Sequence, residues 1–297
     1  LMRHPLFLYF SLMAQELLKL MIMKRILTYI PVLAAAVIAA SSCSLFQLDN
    51  AEGPKETIKG KVVDVETGEP VLTDQGSEGI RVRLTELSYG ENATHNPDFY
   101  CRPDGTFQNT KIFKGNYNIR IDGPFIPIVR ETSDGVPISD GSIVTDIKGT
   151  TEVEFKVHPF LKVEIVGVPQ VSGGVITAQV KVTRAVSKET FKELVEPMGG
   201  YSDDFTNITD IQLFVGYSST MGYRARDTRW STALEFGGDS FEAKLGEPVT
   251  IQSSTSTTIP SGRKVFIRAA ARINYDTPRG SGTRRYNYSE VMEVNIP

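Results

Sequence analysis

The stretch Ile80-Arg-Val-Arg-Leu-Thr-Glu-Leu87 alternates apolar and polar side chains. Successive side chains of a strand point to opposite faces, so the alternation predicts a strand with one buried and one wet face. The same period runs outward in both directions. Ile58-Lys-Gly-Lys-Val-Val-Asp-Val65 reads as a strand followed by the turn Thr67-Gly-Glu-Pro70. Pro103-Asp-Gly-Thr-Phe107 is a tight turn entering a strand, and Lys114-Gly-Asn-Tyr-Asn-Ile-Arg-Ile121 is a turn followed by another. Thr150-Thr-Glu-Val-Glu-Phe-Lys-Val157 closes the set, because Pro159 cannot donate to a central ladder. Turn signals every ten or so residues between short alternating runs point to β-sandwiches.

The second half repeats the pattern. Phe160–Val166 and Val175–Val182 flank Ser172-Gly-Gly174 and read as a hairpin. Ala185–Gly200 is helix-permissive, with Ser187 as N-cap and with Pro197 and two glycines as the stop. Asp210-Ile-Gln-Leu-Phe-Val-Gly-Tyr217 resumes the strand pattern. In Ile259–Ala271, Val265, Ile267, Ala269 and Ala271 share one face.

Composition bounds the function. The chain has 297 residues, 40% of them hydrophobic, which excludes wholesale disorder and suggests two domains. Against 35 Asp and Glu stand 32 Lys and Arg, so no net positive field recruits nucleic acid. Three His and two Cys exclude a cysteine zinc cage and a disulfide framework.

The N-terminus carries an address. Lys24 and Arg25 precede the apolar run Ile26–Ala40, which is short for a membrane span of about 20 residues. Ala40-Ser-Ser-Cys43 follows and resembles a bacterial lipobox, in which the cysteine is acylated; Cys43 is therefore the expected lipidation site. Residues 1–22, which open on Leu1, are read as an upstream extension, 23–42 as a lipoprotein signal peptide and 43–56 as the lipidated linker.

The turn motifs Gly60-x-Val62-x-Asp64, Thr67-Gly-Glu-Pro-Val71, Gly79-Ile-x-Val82, Asp104-Gly-Thr-Phe107 and Gly115-Asn-Tyr117 resemble the carboxypeptidase-regulatory-like module, a transthyretin-type sandwich, over 57–158. Ile259–Ala271 and Tyr286-Asn-Tyr-Ser-Glu-Val291 resemble strands of a fibronectin type III or immunoglobulin-like domain over 159–297, although Val265 stands where that family places a tyrosine. Together with the lipobox, the chain resembles a two-domain lipoprotein family of unknown function from Bacteroidota, encoded beside SusC/SusD-like pairs in polysaccharide-utilisation loci. The expected fold is thus all-β, with two sandwich domains in tandem behind signal peptide and linker. The resemblance implies an outer-membrane lipoprotein, anchored by lipid and facing the cell surface or, as the alternative, the periplasm, that assists polysaccharide uptake. It would do so by binding glycan or by supporting a SusC/SusD-like transporter complex. A structural or adhesive surface protein is the alternative. The family brings no catalytic residues.

No catalytic pattern is legible either. His95 and His158 sit in no nucleophile elbow, and no phosphate-cradling glycine loop is present. The expectation is a non-enzyme with no cofactor and no metal. Cys101 reads as a core thiol, a reactive nucleophile being the sharper alternative. Asp203, Asp204, Asn207 and Asp210 form an oxygen-rich run open to a Ca²⁺ or a solvated-turn reading. Arg279, Arg284 and Arg285 are expected in a solvated hairpin, the alternative being a loop touching acidic sugar or a partner's carboxylates.

Ligand recognition is expected between Tyr201 and Phe236, where alternation is poor and loops are implied. Sugars present flat C–H faces on which aromatic rings stack. The candidates are Trp230, Tyr201, Tyr217 and Tyr223, with Arg226 and Arg229 as polar partners. Trp230 has a second reading, as the core residue between two sheets.

Overall fold

The computed structural model describes residues 13, 16–25, 53–88, 90, 94–95 and 98–297. The chain divides into two units, Leu1–Gly53 and Pro54–Pro297. In the first, residues 16–25 are helical. Cys43, most of the signal peptide and most of the linker lie outside the described residues. No helix among the described residues is long and apolar enough to cross a membrane.

The unit Pro54–Pro297 is all-β and holds two sandwiches. In the first, Glu56–Asp64 lies between Thr150–Val157, parallel to it, and Thr106–Ile112, antiparallel to it. The facing sheet is centred on Arg81–Glu86 and Gly115–Asp122, with Ile143–Ile147 beyond. Ile80, Val82 and Leu84 are fully buried against Ile58, Phe107 and Tyr117, as their alternation predicts. A small hairpin, Val129–Glu131 with Pro137–Asp140, projects from this half.

In the second sandwich, Leu161–Ser172 and Val175–Arg184 form a hairpin that continues to Pro248–Gln252. Gly173 and Gly174 both take positive φ (57° and 76°), the geometry a two-residue primed turn requires. The first strand runs six residues past Val166, through a register shift between Val166 and Gln170. The facing sheet orders Thr232–Glu235, Ile208–Gly216, Lys264–Ile273 and Asn287–Tyr288, with Met292–Asn295 also on Lys264–Ile273. The helix Lys188–Val195 starts where Ser187 Oγ accepts from Thr190 N at 3.0 Å. It presses Phe191 onto Phe160 and Tyr275, with ring centroids 5.9 and 5.3 Å apart.

Lys264–Ile273 is covered on both faces. Val265, Ile267, Ala269 and Ala271 fill the sandwich core. The opposite face carries Ala270 in a second cluster with Phe214, Met221, Tyr286 and Tyr288, against which Leu72 of the first half packs. Arg268 is 1% exposed in the same face. Its Nη1 donates to Thr73 O (2.7 Å) and Met221 O (3.0 Å), Nε to Ser289 O (2.7 Å) and Nη2 to Pro103 O (3.2 Å). Burial pushes its pKa down to about 10, so the guanidinium stays charged at neutral pH.

The arginines of 277–286 are a correction. Arg285 is buried, not solvated: Nε donates to Thr277 O at 3.0 Å, and Nη1 donates to Gly79 O at 2.6 Å and to Ser77 O. Arg279 donates to Met198 O (3.2 Å) and Gly200 O (2.9 Å). Loop carbonyls without ladder partners need donors, and these guanidiniums supply them. Arg284 is the exposed one.

Candidate functional site

The segment leaving strand Ile208–Gly216 forms a compact corner before the chain returns as Thr232–Glu235. Asp227 N donates to Val215 O at 2.8 Å, and Ser231 Oγ accepts from Val215 N at 2.9 Å, which ties the corner to the strand end. The Asp227 carboxylate accepts from Arg229 Nε (3.0 Å) and Nη2 (2.7 Å), a bidentate pair. The hydrogen bonds from Arg229 hold the Asp227 pKa below the ordinary carboxylate value.

Trp230 is only 2% exposed and belongs to the core of the second sandwich. That overturns its reading as a stacking platform, because a ring enclosed by protein offers no face to a ligand. Instead it supports Tyr217, whose ring meets it edge-on with centroids 5.3 Å apart. Tyr217 is 53% exposed, and the Arg229 guanidinium lies 5.0 Å from the Trp230 ring centroid. The corner therefore presents one open aromatic ring, braced from beneath and flanked by a fixed charge pair.

The other candidates sit in different packing. Tyr223 stacks on Tyr286 at 6.0 Å with Arg226 3.8 Å from its centroid, inside the cluster that joins the two halves. Tyr201 packs edge-on against Phe205 at 6.0 Å, with Lys192 Nζ 5.4 Å from its ring. The six thus fall in three places: Tyr217, Arg229 and Trp230 share the corner, Tyr223 and Arg226 share the cluster between the halves, and Tyr201 stands apart with Phe205.

The acidic run does not converge on an ion. Asp203–Thr206 is a short turn in which Asn207 Nδ2 donates to Asp204 Oδ1 at 3.0 Å. Asp210 is buried and accepts from Arg272 Nε (2.6 Å), Tyr286 OH (2.7 Å) and Gln212 Nε2 (2.6 Å). Among the described residues, no group of three or more His, Cys, Asp or Glu could hold a metal. Cys101 is buried, and burial pushes its thiol pKa far up, which removes the thiolate that nucleophilic chemistry needs.

Two clefts complete the geometry. One, of about 870 Å³, runs between the turn Thr67–Leu72 and the strand segment Leu161–Val166 and is rimmed by Glu66, Glu69, Glu164 and Glu290. The other, of about 750 Å³, lies over the outer face of Arg81–Glu86 and Gly115–Asp122.

The family model described as "Protein of unknown function (DUF3823) N-terminal domain" matches residues 56–158. A DUF3823 family protein from Bacteroides uniformis is 68% identical, and its crystal structure aligns over 82% of this chain and 100% of its own with a TM-score of 0.80. The chain belongs to the DUF3823 family. A "putative carbohydrate binding protein" from Bacteroides uniformis shares the fold at 21% identity and TM-score 0.58, and a DUF3823 family protein from Parabacteroides merdae at 16% and 0.55. Each aligns over 82% of this chain and 100% of its own. No curated protein matches.

In this DUF3823 protein the second cleft was missed in the sequence. The available signal was the polar set of the Ile80–Leu87 alternation, which places Arg81 and Arg83 together on one outer face. Arg120 joins them only through strand pairing.

Proposed function

We propose that this DUF3823 protein is a non-catalytic carbohydrate-binding lipoprotein that assists polysaccharide capture at the bacterial outer membrane. The observation that carries the reading is Tyr217: half-exposed, braced edge-on by buried Trp230, and set beside the Arg229–Asp227 pair. A rigid ring stacks on a sugar C–H face at little entropic cost, while fixed polar groups select among its hydroxyls. The carbohydrate-binding name carried by a structure of the same fold supports the ligand class. Acylation of Cys43 anchors the protein to the membrane, and a SusC/SusD-like transporter is the partner to which captured glycan passes.

Titration calorimetry with soluble oligosaccharides tests the binding. An aromatic contact contributes about 0.5–1.5 kcal/mol beyond area burial, so the site binds in the micromolar to millimolar range. Tyr217→Ala abolishes the binding of neutral oligosaccharides with the melting temperature unchanged. A wild-type chain that binds no oligosaccharide overturns the reading. The anchor has its own test: Cys43→Ala must stop incorporating labelled palmitate and stop partitioning into detergent.

A further inference from the structure

We propose that the cleft of about 750 Å³ over the outer face of the first sandwich is a binding site for anionic oligosaccharides, those bearing uronate or sulfate groups. This deepens the carbohydrate reading and rests on it, at a surface separate from the Tyr217 corner.

The floor of the cleft is two paired strands. Arg81 faces Asp122 across the ladder, Arg83 faces Arg120 and Thr85 faces Asn118, and all six line the cleft. Two arginines directly opposite one another are unfavourable unless anions offset them. Arg83 is offset by a bidentate pair with Asp98, at 2.9 and 2.8 Å. Arg81 is offset by Asp122 at 2.5 Å and Asp98 at 3.4 Å. Arg120 is exposed and makes no direct ion pair or hydrogen bond among the described residues; its charge neighbour is Asp140, on which it acts at longer range.

The far wall adds a further cation. Arg279 reaches the cleft from the second sandwich, and it donates hydrogen bonds to the carbonyls of Met198 and Gly200. Carbonyl partners satisfy N–H donors without cancelling their charge. Four guanidiniums thus line the cleft against two carboxylates of the lining itself, Asp122 and Glu131, while Asp98 and Asp140 lie outside that lining. In a chain whose net charge is −3, that local excess selects an anion. A planar guanidinium fork matches carboxylate and sulfate oxygens equally well.

The rest of the lining suits a sugar and not a bare ion. Pro127, Ile128, Val129 and Pro278 form an apolar wall for C–H faces. Asn118 Nδ2 donates to Ser142 Oγ at 2.9 Å, while its Oδ1 lacks a partner. Mixed apolar walls with a few fixed polar groups, at this volume, are the usual make-up of a small-molecule site.

The test is calorimetry on the full chain with three probes of equal length: tetragalacturonate, a heparin-derived tetrasaccharide and neutral cellotetraose. Wild type binds one or both acidic probes about tenfold or more tightly than the neutral one, as loss of a hydrogen bond to a charged group implies. Which acidic probe is preferred separates uronate from sulfate recognition. Arg120→Gln, on an exposed side chain, removes the preference, whereas Arg284→Gln, an exposed arginine outside the cleft lining, keeps it. Equal binding of acidic and neutral probes, or a preference that survives in Arg120→Gln, overturns the cleft assignment and leaves the carbohydrate reading standing. Binding of none of the three overturns both.

Discussion

The Arg268 guanidinium donates to the carbonyl oxygen of Thr73 at 2.7 Å, across 195 residues of sequence. The contact joins the central strand of the second sandwich to a turn of the first. Arg285 makes the same kind of link to Gly79, and Thr277 Oγ1 donates to Gly123 O at 2.8 Å. The junction is therefore built from buried donors on one half and backbone carbonyls on the other.

Such a junction couples the melting of the two halves. A chain starting at Pro54 is expected to unfold in a single calorimetric transition. Arg268→Ala strands several buried carbonyls, at about 1–3 kcal/mol for an unsatisfied group, and is expected to lower or split that transition. Two separate transitions in the wild-type chain would contradict a coupled junction.

Trp230 and Tyr217 touch, yet their substitutions diverge. Trp230→Ala empties a core position and is expected to cost about 3–5 kcal/mol. Tyr217→Ala changes a surface ring, with an expected cost within about 0.5 kcal/mol. Denaturant titrations of the two variants check the contrast; a mild Trp230→Ala would mean that the ring is not packed as described.

Asp74 carries a pH dependence. It is fully buried, accepting from Gln75 N at 2.7 Å and Arg224 N at 3.1 Å, and a Cβ at Gly222 would collide with its carboxylate. Burial raises its pKa above the ordinary 3.8. The folded chain then holds a proton that the unfolded chain has released, so this group's contribution is full at low pH. It is lost as pH rises through the folded pKa. Asp74→Asn cannot ionise, and it keeps one acceptor oxygen while its NH2 group gives up the other acceptor role. Its melting temperature relative to wild type should rise as the pH climbs above the ordinary carboxylate value of 3.8. Parallel pH profiles of variant and wild type would refute the shift.

Cys101 is expected to resist thiol reagents in the folded protein. In a Cys43→Ala background, labelling should appear only as denaturant unfolds the chain, since the thiol is buried and protonated. Stoichiometric labelling without denaturant would show an accessible, ionisable thiol.

Much of the fold was legible because half-buried strands advertise themselves. The alternation of Ile80–Leu87 and the Gly-Gly turn at 173–174 pointed to the observed elements, as did Ser187 at the helix start. The candidate site was less legible. Trp230 and Tyr217 look alike in sequence, as aromatics in an irregular stretch, and only packing separates the enclosed ring from the open one.

What the sequence determined by itself was local: strand periodicity, turn chemistry, the helix cap and hence the all-β class. These follow from interactions within a few residues, which composition and spacing record directly. What only the tertiary structure decided was which polar side chains are buried and which charges meet. Arg285 reads as a solvated residue until carbonyls of the other half appear around it, Arg268 is buried in the same way, and Arg83 meets Arg120 only because two strands pair in one register. A charged group is buried only where distant backbone supplies its partners, and no local pattern encodes where that backbone will be.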